Sequence, residues 1–228
     1  MIGLETPLTM ILFFIGIIIV TYAQVKINSS YNKYRKIKIN KEITGQEAAR
    51  MILDSNGLNN IYIVETKGEL TDHYDPKRKV IKLSRSIFHD NKIASVAVAA
   101  HEVGHAIQDK EGYSFMRIRS FLVPVVNLVT YMGYIVAFIS LLGGITGYLK
   151  ISIIMILAAL LFQLVTLPVE FDASRRAKEE LVKLGIVDSE EIQGVDKMLS
   201  AAAFTYVASF ISSLINLLRL VIMLKDND

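Results

Sequence analysis

Residues 98–108 read Val-Ala-Ala-His-Glu-Val-Gly-His-Ala-Ile-Gln, and the glutamate after the first histidine is the one carboxylate in this stretch. In a helix, side chains four residues apart lie on one face, so the imidazoles of His101 and His105 can bind one Zn²⁺ with bonds of about 2.0–2.1 Å. Glu102 is turned by about 100° from His101 around the helix axis. Its carboxylate can therefore reach a zinc-bound water, whose pKa the metal lowers towards about 7, and act as a general base.

The residues around this motif predict a buried helix. Residues 93–100 carry no charge, and Gly104 stands inside the motif although glycine costs a helix about 0.5–1 kcal/mol relative to alanine. Such a glycine indicates close packing against a neighbouring element. The alternative is an ordinary core helix with hydrogen-bonded histidines, but two histidines and a glutamate are costly to bury without a metal or other partners.

A catalytic zinc site needs a third protein ligand and one open position. The chain has no cysteine, and none of its four histidines follows His105. The third ligand must therefore be a carboxylate or an upstream histidine. Glu170 is the best candidate, because it begins a charged segment directly after an apolar run and has apolar neighbours. The alternative for Glu170 is a carboxylate at a helix N-terminus that interacts with the helix dipole.

Long uncharged runs predict a membrane protein. Hydrophobic residues make up 52% of the chain and charged residues 21%, and the charges are absent from residues 6–25, 120–149, 151–169 and 198–218. A membrane-spanning helix needs about 20 mostly apolar residues, so these runs exclude an ordinary soluble enzyme. The last run is the least certain, because Asn216 and Arg219 interrupt its end. We therefore predict a mainly α membrane protein with three to four transmembrane helices and a small α+β domain.

The charges beside these runs predict an orientation. The first run lacks a signal-peptide cleavage site and reads as an uncleaved anchor. Basic residues follow it: Lys26, Lys33, Arg35, Lys36, Lys38 and Lys41. Positive charge next to a span marks the cytoplasmic side, which predicts an N-terminus outside and a cytoplasmic catalytic site. Two apolar runs separate His105 from Glu170, so both residues lie on the same side.

The polar region after the anchor predicts the small α+β domain. Thr44 and Glu47 fit a capping box for a helix that ends near Asn56, and residues 61–64 and 80–83 are typical of strands. The predicted division of the chain has five parts: an N-terminal anchor (1–25), the region with the histidine helix (26–119), a transmembrane hairpin turning near residues 143–147 (120–169), a helical segment with the third ligand (170–197), and a C-terminal helix (198–228).

The sequence resembles the bacterial membrane neutral zinc metallopeptidases (zinc peptidase type 2) and, more distantly, the HtpX-type gluzincins. Four segments spread over nearly the whole chain carry the resemblance: Thr71–Pro76, Val98–Gln108, Val169–Ser174 and Ala201–Tyr206. The resemblance implies a zincin-like catalytic domain with Zn²⁺ as cofactor, in a protein of the bacterial plasma membrane.

The distant relatives also imply roles for particular residues. They supply the third zinc ligand from the Glu of an E-x-x-A-D motif, which implies Glu170 here. The Asp of that motif orients a zinc-binding histidine, and Ser174 replaces it in this chain. The resemblance therefore predicts a different partner for that histidine, and Asp172 is a candidate.

Zincin-like folds place an edge strand before the active-site helix, where it pairs with the substrate backbone. The strand predicted at this point consists of Val80, Ile81, Lys82, Leu83 and Ser84. An ordinary sheet strand is the alternative. His73, just before it, is a candidate stabiliser of the oxyanion, with a surface turn residue as the alternative.

These features predict a membrane-anchored zinc-dependent endopeptidase that acts on peptides or membrane proteins at the lipid bilayer. The alternative is a membrane scaffold or chaperone that keeps a zinc site without proteolysis, but a structural zinc site has no need of Glu102. A protease with its zinc helix inside the bilayer is less favoured, because Asp90 and Asp109 leave too short an apolar stretch between them. The net charge of +3 is too small to indicate nucleic-acid binding, and none is expected.

Overall fold

A computed structural model describes residues 6–143 and 148–225. These residues form seven helices and three strands: α1 (Pro7–Tyr34), α2 (Gly45–Ser55), β1 (Tyr62–Thr66), β2 (His73–Asp75), β3 (Val80–Ser84), α3 (Arg85–His89), α4 (Ile93–Glu111), α5 (Ser114–Gly143), α6 (Tyr148–Lys183) and α7 (Glu191–Lys225). The predicted class, a mainly α membrane protein with a small α+β part, is confirmed.

Three of the described helices are long and apolar enough to cross a membrane. They are α1, the part of α6 from Ile151 to Lys183 and the part of α7 from Glu191 to Met223. The C-terminal run, the least certain in the sequence, thus belongs to one continuous apolar helix. The predicted hairpin turn begins at Gly143, where α5 ends, and residues 144–147 lie outside the described part of the chain.

The chain divides into two compact units. One contains residues 1–24, 118–167 and 205–228, and the other contains residues 25–117 and 168–204. The five-part division predicted from the sequence is finer and stays a prediction. All residues of the predicted metal site belong to the second unit, whose main core runs along α4 and includes residues of α2, β3, α6 and α7.

Local signals explain α2 and α4. Thr44 caps α2 with both bonds of the predicted capping box, and Gly57 follows its end with a φ of 65°. The helix α4 is buried along nearly its whole length and ends at Gly112, which has the left-handed φ of 66° that glycine adopts without a steric penalty. The prediction that the motif lies in a buried helix is confirmed.

The sheet has the strand order β1-β3-β2, with β3 parallel to β1 and antiparallel to β2. Strand β3 therefore lies in the middle, with both of its edges paired. The prediction that residues 80–84 form an edge strand is wrong, because β1 pairs with all five residues and β2 pairs with Val80, Ile81 and Lys82 on the other side. Their contact with a substrate stays a prediction. Strand β2 has three residues, which is too short to show an alternating pattern in the sequence.

The helix α6 also differs from the expected division. Pro168 lies inside it, and the helix continues from the apolar run into the charged segment up to Lys183. A proline removes one backbone hydrogen bond of a helix but is tolerated in apolar spans. Glu170 therefore lies in a helix interior, and the alternative that its carboxylate interacts with a helix N-terminus is wrong.

Candidate metal centre

The helices α4 and α6 touch through their backbones at the candidate site. A Cβ atom added to Gly104 would lie 2.5 Å from the carbonyl oxygen of Ala173, far inside van der Waals contact. Gly104 lies between the two histidines of the motif on α4, and Ala173 lies three residues after Glu170 on α6. The missing side chain therefore allows the close approach that brings the histidines to the carboxylate, which is the packing role that the sequence indicated for Gly104.

The three residues predicted as zinc ligands lie together. Glu170 Oε2 is 3.1 Å from His101 Nε2, and Glu170 Oε1 is 3.8 Å from His105 Nε2. One ligand atom from each residue can be chosen so that all three lie within 4.8 Å of one another. Glu170 and His105 are buried, with 2% and 6% of their surface exposed.

The donor set and the spacing fit Zn²⁺. Two imidazole nitrogens and one carboxylate oxygen are a known ligand combination of catalytic zinc, and bonds of about 2.0–2.1 Å place tetrahedral ligand atoms about 3.3 Å apart. The measured separations of 3.1 and 3.8 Å bracket that value. Small side-chain shifts would let His101, His105 and Glu170 hold the ion.

The other nitrogen of each imidazole has a partner that orients the ring. His101 Nδ1 lies 3.1 Å from Ser174 Oγ, and His105 Nδ1 lies 3.0 Å from Gln108 Oε1. With Nδ1 engaged in this way, Nε2 of both rings points towards Glu170. Partners of this kind fix the ring and the tautomer of a metal-binding histidine. Ser174 itself therefore occupies the place that the resemblance gave to an aspartate.

Gln108 is fully buried and linked to α6. Its Nε2 donates to the Val169 carbonyl at 2.8 Å and to Asp172 Oδ2 at 2.9 Å. These two acceptors place the amide nitrogen on the α6 side, so Oε1 accepts from His105 Nδ1–H and the Nε2 lone pair of His105 is left for a metal. Asp172, the predicted partner of a histidine, thus acts on His105 through Gln108. The sequence signal for Gln108 was its position three residues after His105, on the same helical face.

Glu102 lies beside the cluster on α4 and is 8% exposed. Its Oε2 accepts a hydrogen bond of 2.9 Å from the backbone N–H of Tyr74 in β2. Burial raises the pKa of the Glu102 carboxyl to about 7, and the nearby carboxylates of Glu170 and Asp72 act in the same direction. A carboxyl group with such a pKa can both accept and release a proton at neutral pH.

The other predicted site residues lie elsewhere. His73 is exposed on β2, and its Nδ1 lies 2.8 Å from the Thr71 carbonyl oxygen. Its proposed contact with the oxyanion stays a prediction. Strand β2, which sequence reasoning did not assign, contacts α4 through the hydrogen bonds of Tyr74 to Glu102 and Asp109.

Comparison with known proteins agrees with the family that the sequence resembles. Residues 9–225 match a protein family described as "Putative neutral zinc metallopeptidase". The chain is 44% identical over 202 residues to "Putative membrane protease YugP" from Bacillus subtilis (strain 168), an alignment that covers 89% of this chain and 90% of the relative. No solved structure matches the chain.

Proposed function

The chain belongs to the neutral zinc metallopeptidase family, and from this premise we propose that it is a membrane-anchored zinc endopeptidase of the gluzincin type. His101, His105 and Glu170 hold the zinc, and Glu102 is the general base. Peptides or membrane proteins at the bilayer are the substrates. The observation that carries this proposal is the buried Glu102, which lies beside three buried or half-buried metal-binding side chains and has a pKa near 7.

The chemistry divides between the metal and the chain. Zinc, when bound, supplies a Lewis acid and a nucleophilic water at neutral pH. Glu102 accepts the proton of the attacking water and passes it to the amine that leaves, and the hydrogen bond from the Tyr74 N–H holds its carboxylate in place. Gln108 Oε1 accepts from His105 Nδ1–H and leaves His105 Nε2 for the metal, and the Ser174 hydroxyl at His101 Nδ1 orients the other ring.

A membrane scaffold that keeps zinc without proteolysis is the second candidate. A structural zinc site is closed by four protein ligands, whereas a catalytic site has three and one open position. The described part of the chain offers one group of three ligands. A buried carboxylate beside a purely structural zinc would also destabilise the fold and would have no catalytic role. These points favour the endopeptidase.

Removal of the metal tests the proposed activity. The purified full chain in detergent should carry one zinc per molecule and cleave β-casein, an unfolded general substrate. Treatment with 1,10-phenanthroline should stop cleavage, and Zn²⁺ added after removal of the chelator should restore it. Cleavage that persists in zinc-free protein would contradict the proposal. Full zinc occupancy without cleavage of β-casein or of membrane-bound substrates would favour the scaffold.

The proposed orientation places the site in the cytoplasm. The support is the basic segment after α1, because positive charge next to a span is retained on the cytoplasmic side. The chain has no cysteine, so a single cysteine at Lys36 should resist a membrane-impermeant maleimide in intact cells and react after permeabilisation. A cysteine at Thr6, before the first span, should react in intact cells. The reverse pattern would place the site outside.

A further inference from the structure

We propose that the strand β2 positions the general base. Tyr74 holds Glu102 through its backbone N–H and anchors itself through its phenol on Asp109, farther along the same helix. Tyr74 and Asp109 are thus positioning residues, which act through Glu102. The inference rests on the proposed function in taking Glu102 as the base.

Tyr74 contacts α4 at two points. Its N–H donates to Glu102 Oε2 at 2.9 Å, and its phenol donates to Asp109 Oδ2 at 2.7 Å. Glu102 and Asp109 are seven residues apart, which is two turns and about 10.5 Å along a helix. One residue of the strand therefore lies along two turns of α4 and joins the carboxylate of the base to a second carboxylate on the same helix.

The second carboxylate is itself held in place. Lys79 Nζ lies 2.6 Å from Asp109 Oδ2, the same oxygen that accepts the hydrogen bond of the Tyr74 phenol. The Tyr74 side chain is 8% exposed. Burial and the bond to Asp109 raise the pKa of the Tyr74 phenol, so the phenol stays protonated as the donor.

The ends of β2 are fixed by neighbouring carboxylates. Asp72 Oδ1 accepts from the N–H and the hydroxyl of Ser84, at 2.6 and 3.0 Å, where β3 ends. Asp75 Oδ1 accepts from the N–H groups of Lys77 and Arg78 in the following turn, at 3.0 and 3.1 Å. A strand of three residues has few ladder bonds of its own, so these contacts hold its middle residue against α4.

This arrangement gives Glu102 the fixed geometry that a general base needs. The Tyr74 N–H occupies Oε2 of Glu102, which leaves Oε1 for proton transfer and restricts rotation of the carboxylate. A catalytic group must be held within about 0.5 Å of its productive position, and small misplacements cost rate steeply. The segment Thr71–Pro76, which the metal site itself does not use, thus serves to hold the base.

Amide hydrogen exchange at residue 74 tests the inference without needing a substrate. In the zinc-loaded full chain, Tyr74→Phe keeps the ring and removes the phenol, so exchange of this amide should rise at least about tenfold because the strand opens locally. Turnover of β-casein should fall about tenfold in kcat, with KM and zinc affinity unchanged. Asp109→Ala should behave in the same way.

Asp109→Asn is the matched variant. The asparagine carbonyl still accepts the phenol hydrogen bond although the charge is lost, so its amide exchange at residue 74 and its kcat should stay near the wild-type values. A Tyr74→Phe variant with wild-type exchange would overturn the inference. Loss of zinc together with kcat would also overturn it, since that pattern belongs to a residue that merely supports the fold.

The two proposals fail in different ways. Full activity of Glu102→Gln would show that Glu102 is not the base. The exchange result would then describe only how β2 packs against α4. If Glu102→Gln is inactive and Tyr74→Phe is fully active, Glu102 remains the proposed base and only the positioning role of Tyr74 is rejected. If the wild-type protein leaves β-casein intact, the proposed function fails on that substrate, and wild-type exchange at residue 74 in Tyr74→Phe would still overturn the inference.

Discussion

Replacement of Glu102 by glutamine should abolish peptide hydrolysis and leave zinc bound. Glutamine has nearly the same shape, and its carbonyl oxygen can still accept the hydrogen bond from the Tyr74 N–H that Glu102 Oε2 accepts at 2.9 Å. It cannot accept the proton of the attacking water. Since general base catalysis contributes about 10²–10⁴-fold, kcat/KM on β-casein should fall by at least about 100-fold.

The matched control for this variant is Glu179→Gln. Glu179 lies on α6 with an exposed side chain and pairs with Arg175 on the surface, so its loss should leave both activity and zinc unchanged. Zinc content should be measured on the same samples. Equal cleavage by wild type and Glu102→Gln would show that another group accepts the proton.

The thermal stability of metal-free Glu102→Gln should separate a loss of activity from a loss of folding. Burial raises the pKa of the Glu102 carboxyl from 4.5 to about 7. The folded state therefore binds this proton more tightly than the unfolded state, and stability falls as the pH rises from about 4.5 through about 7. Glutamine does not ionise, so the variant avoids this loss of stability at high pH. The metal-free variant should therefore have a higher Tm than the metal-free wild type at pH 8.

Replacement of Glu170 by alanine should release the zinc. The carboxylate is the proposed third ligand and lies 3.1 Å from His101 Nε2 and 3.8 Å from His105 Nε2, so its removal leaves a pair of imidazoles on one helix. After dialysis against a weak chelator, elemental analysis should find zinc in the wild type and in Glu179→Ala, and none in Glu170→Ala. Unchanged zinc content would remove Glu170 from the ligand set.

Variants of the residues that orient the imidazoles should give an intermediate result. Gln108→Leu removes the acceptor 3.0 Å from His105 Nδ1, and Ser174→Ala removes the hydroxyl 3.1 Å from His101 Nδ1. Loss of such partners typically lowers metal affinity about 10–100-fold. The order of zinc affinity should therefore be wild type first, these two variants next and Glu170→Ala last.

Much of the metal site could be predicted because its signals are local or compositional. The spacing of His101 and His105 places them on one helical face in any fold that keeps the helix. Elimination left a carboxylate or an upstream histidine as the third ligand, because the chain has no cysteine and no histidine after His105, and the position of Glu170 directly after an apolar run made it the best candidate. The capping box at Thr44 predicted the start of α2, since both of its hydrogen bonds form between residues three positions apart.

The contacts that orient the site could not be predicted in this way. Strand β2 has three residues and no periodicity, and its place at the sheet edge overturned the prediction for residues 80–84. Tyr74 and Glu102 are separated by 28 residues, and Gln108 and Asp172 by 64. No local pattern encodes such pairs, because they depend on how whole elements pack.

The sequence by itself determined the ligand types, the helix that carries two of them and the apolar runs of a membrane protein, because these depend on residue identity, spacing and composition. Only the tertiary structure decided which side chains contact the candidate ligands and the proposed base. The physical reason is the close approach of α4 and α6 at Gly104 and Ala173, together with the contact of Tyr74 with α4. Hydrogen bonds act over about 3 Å, and packing alone brings residues so far apart in sequence to that distance.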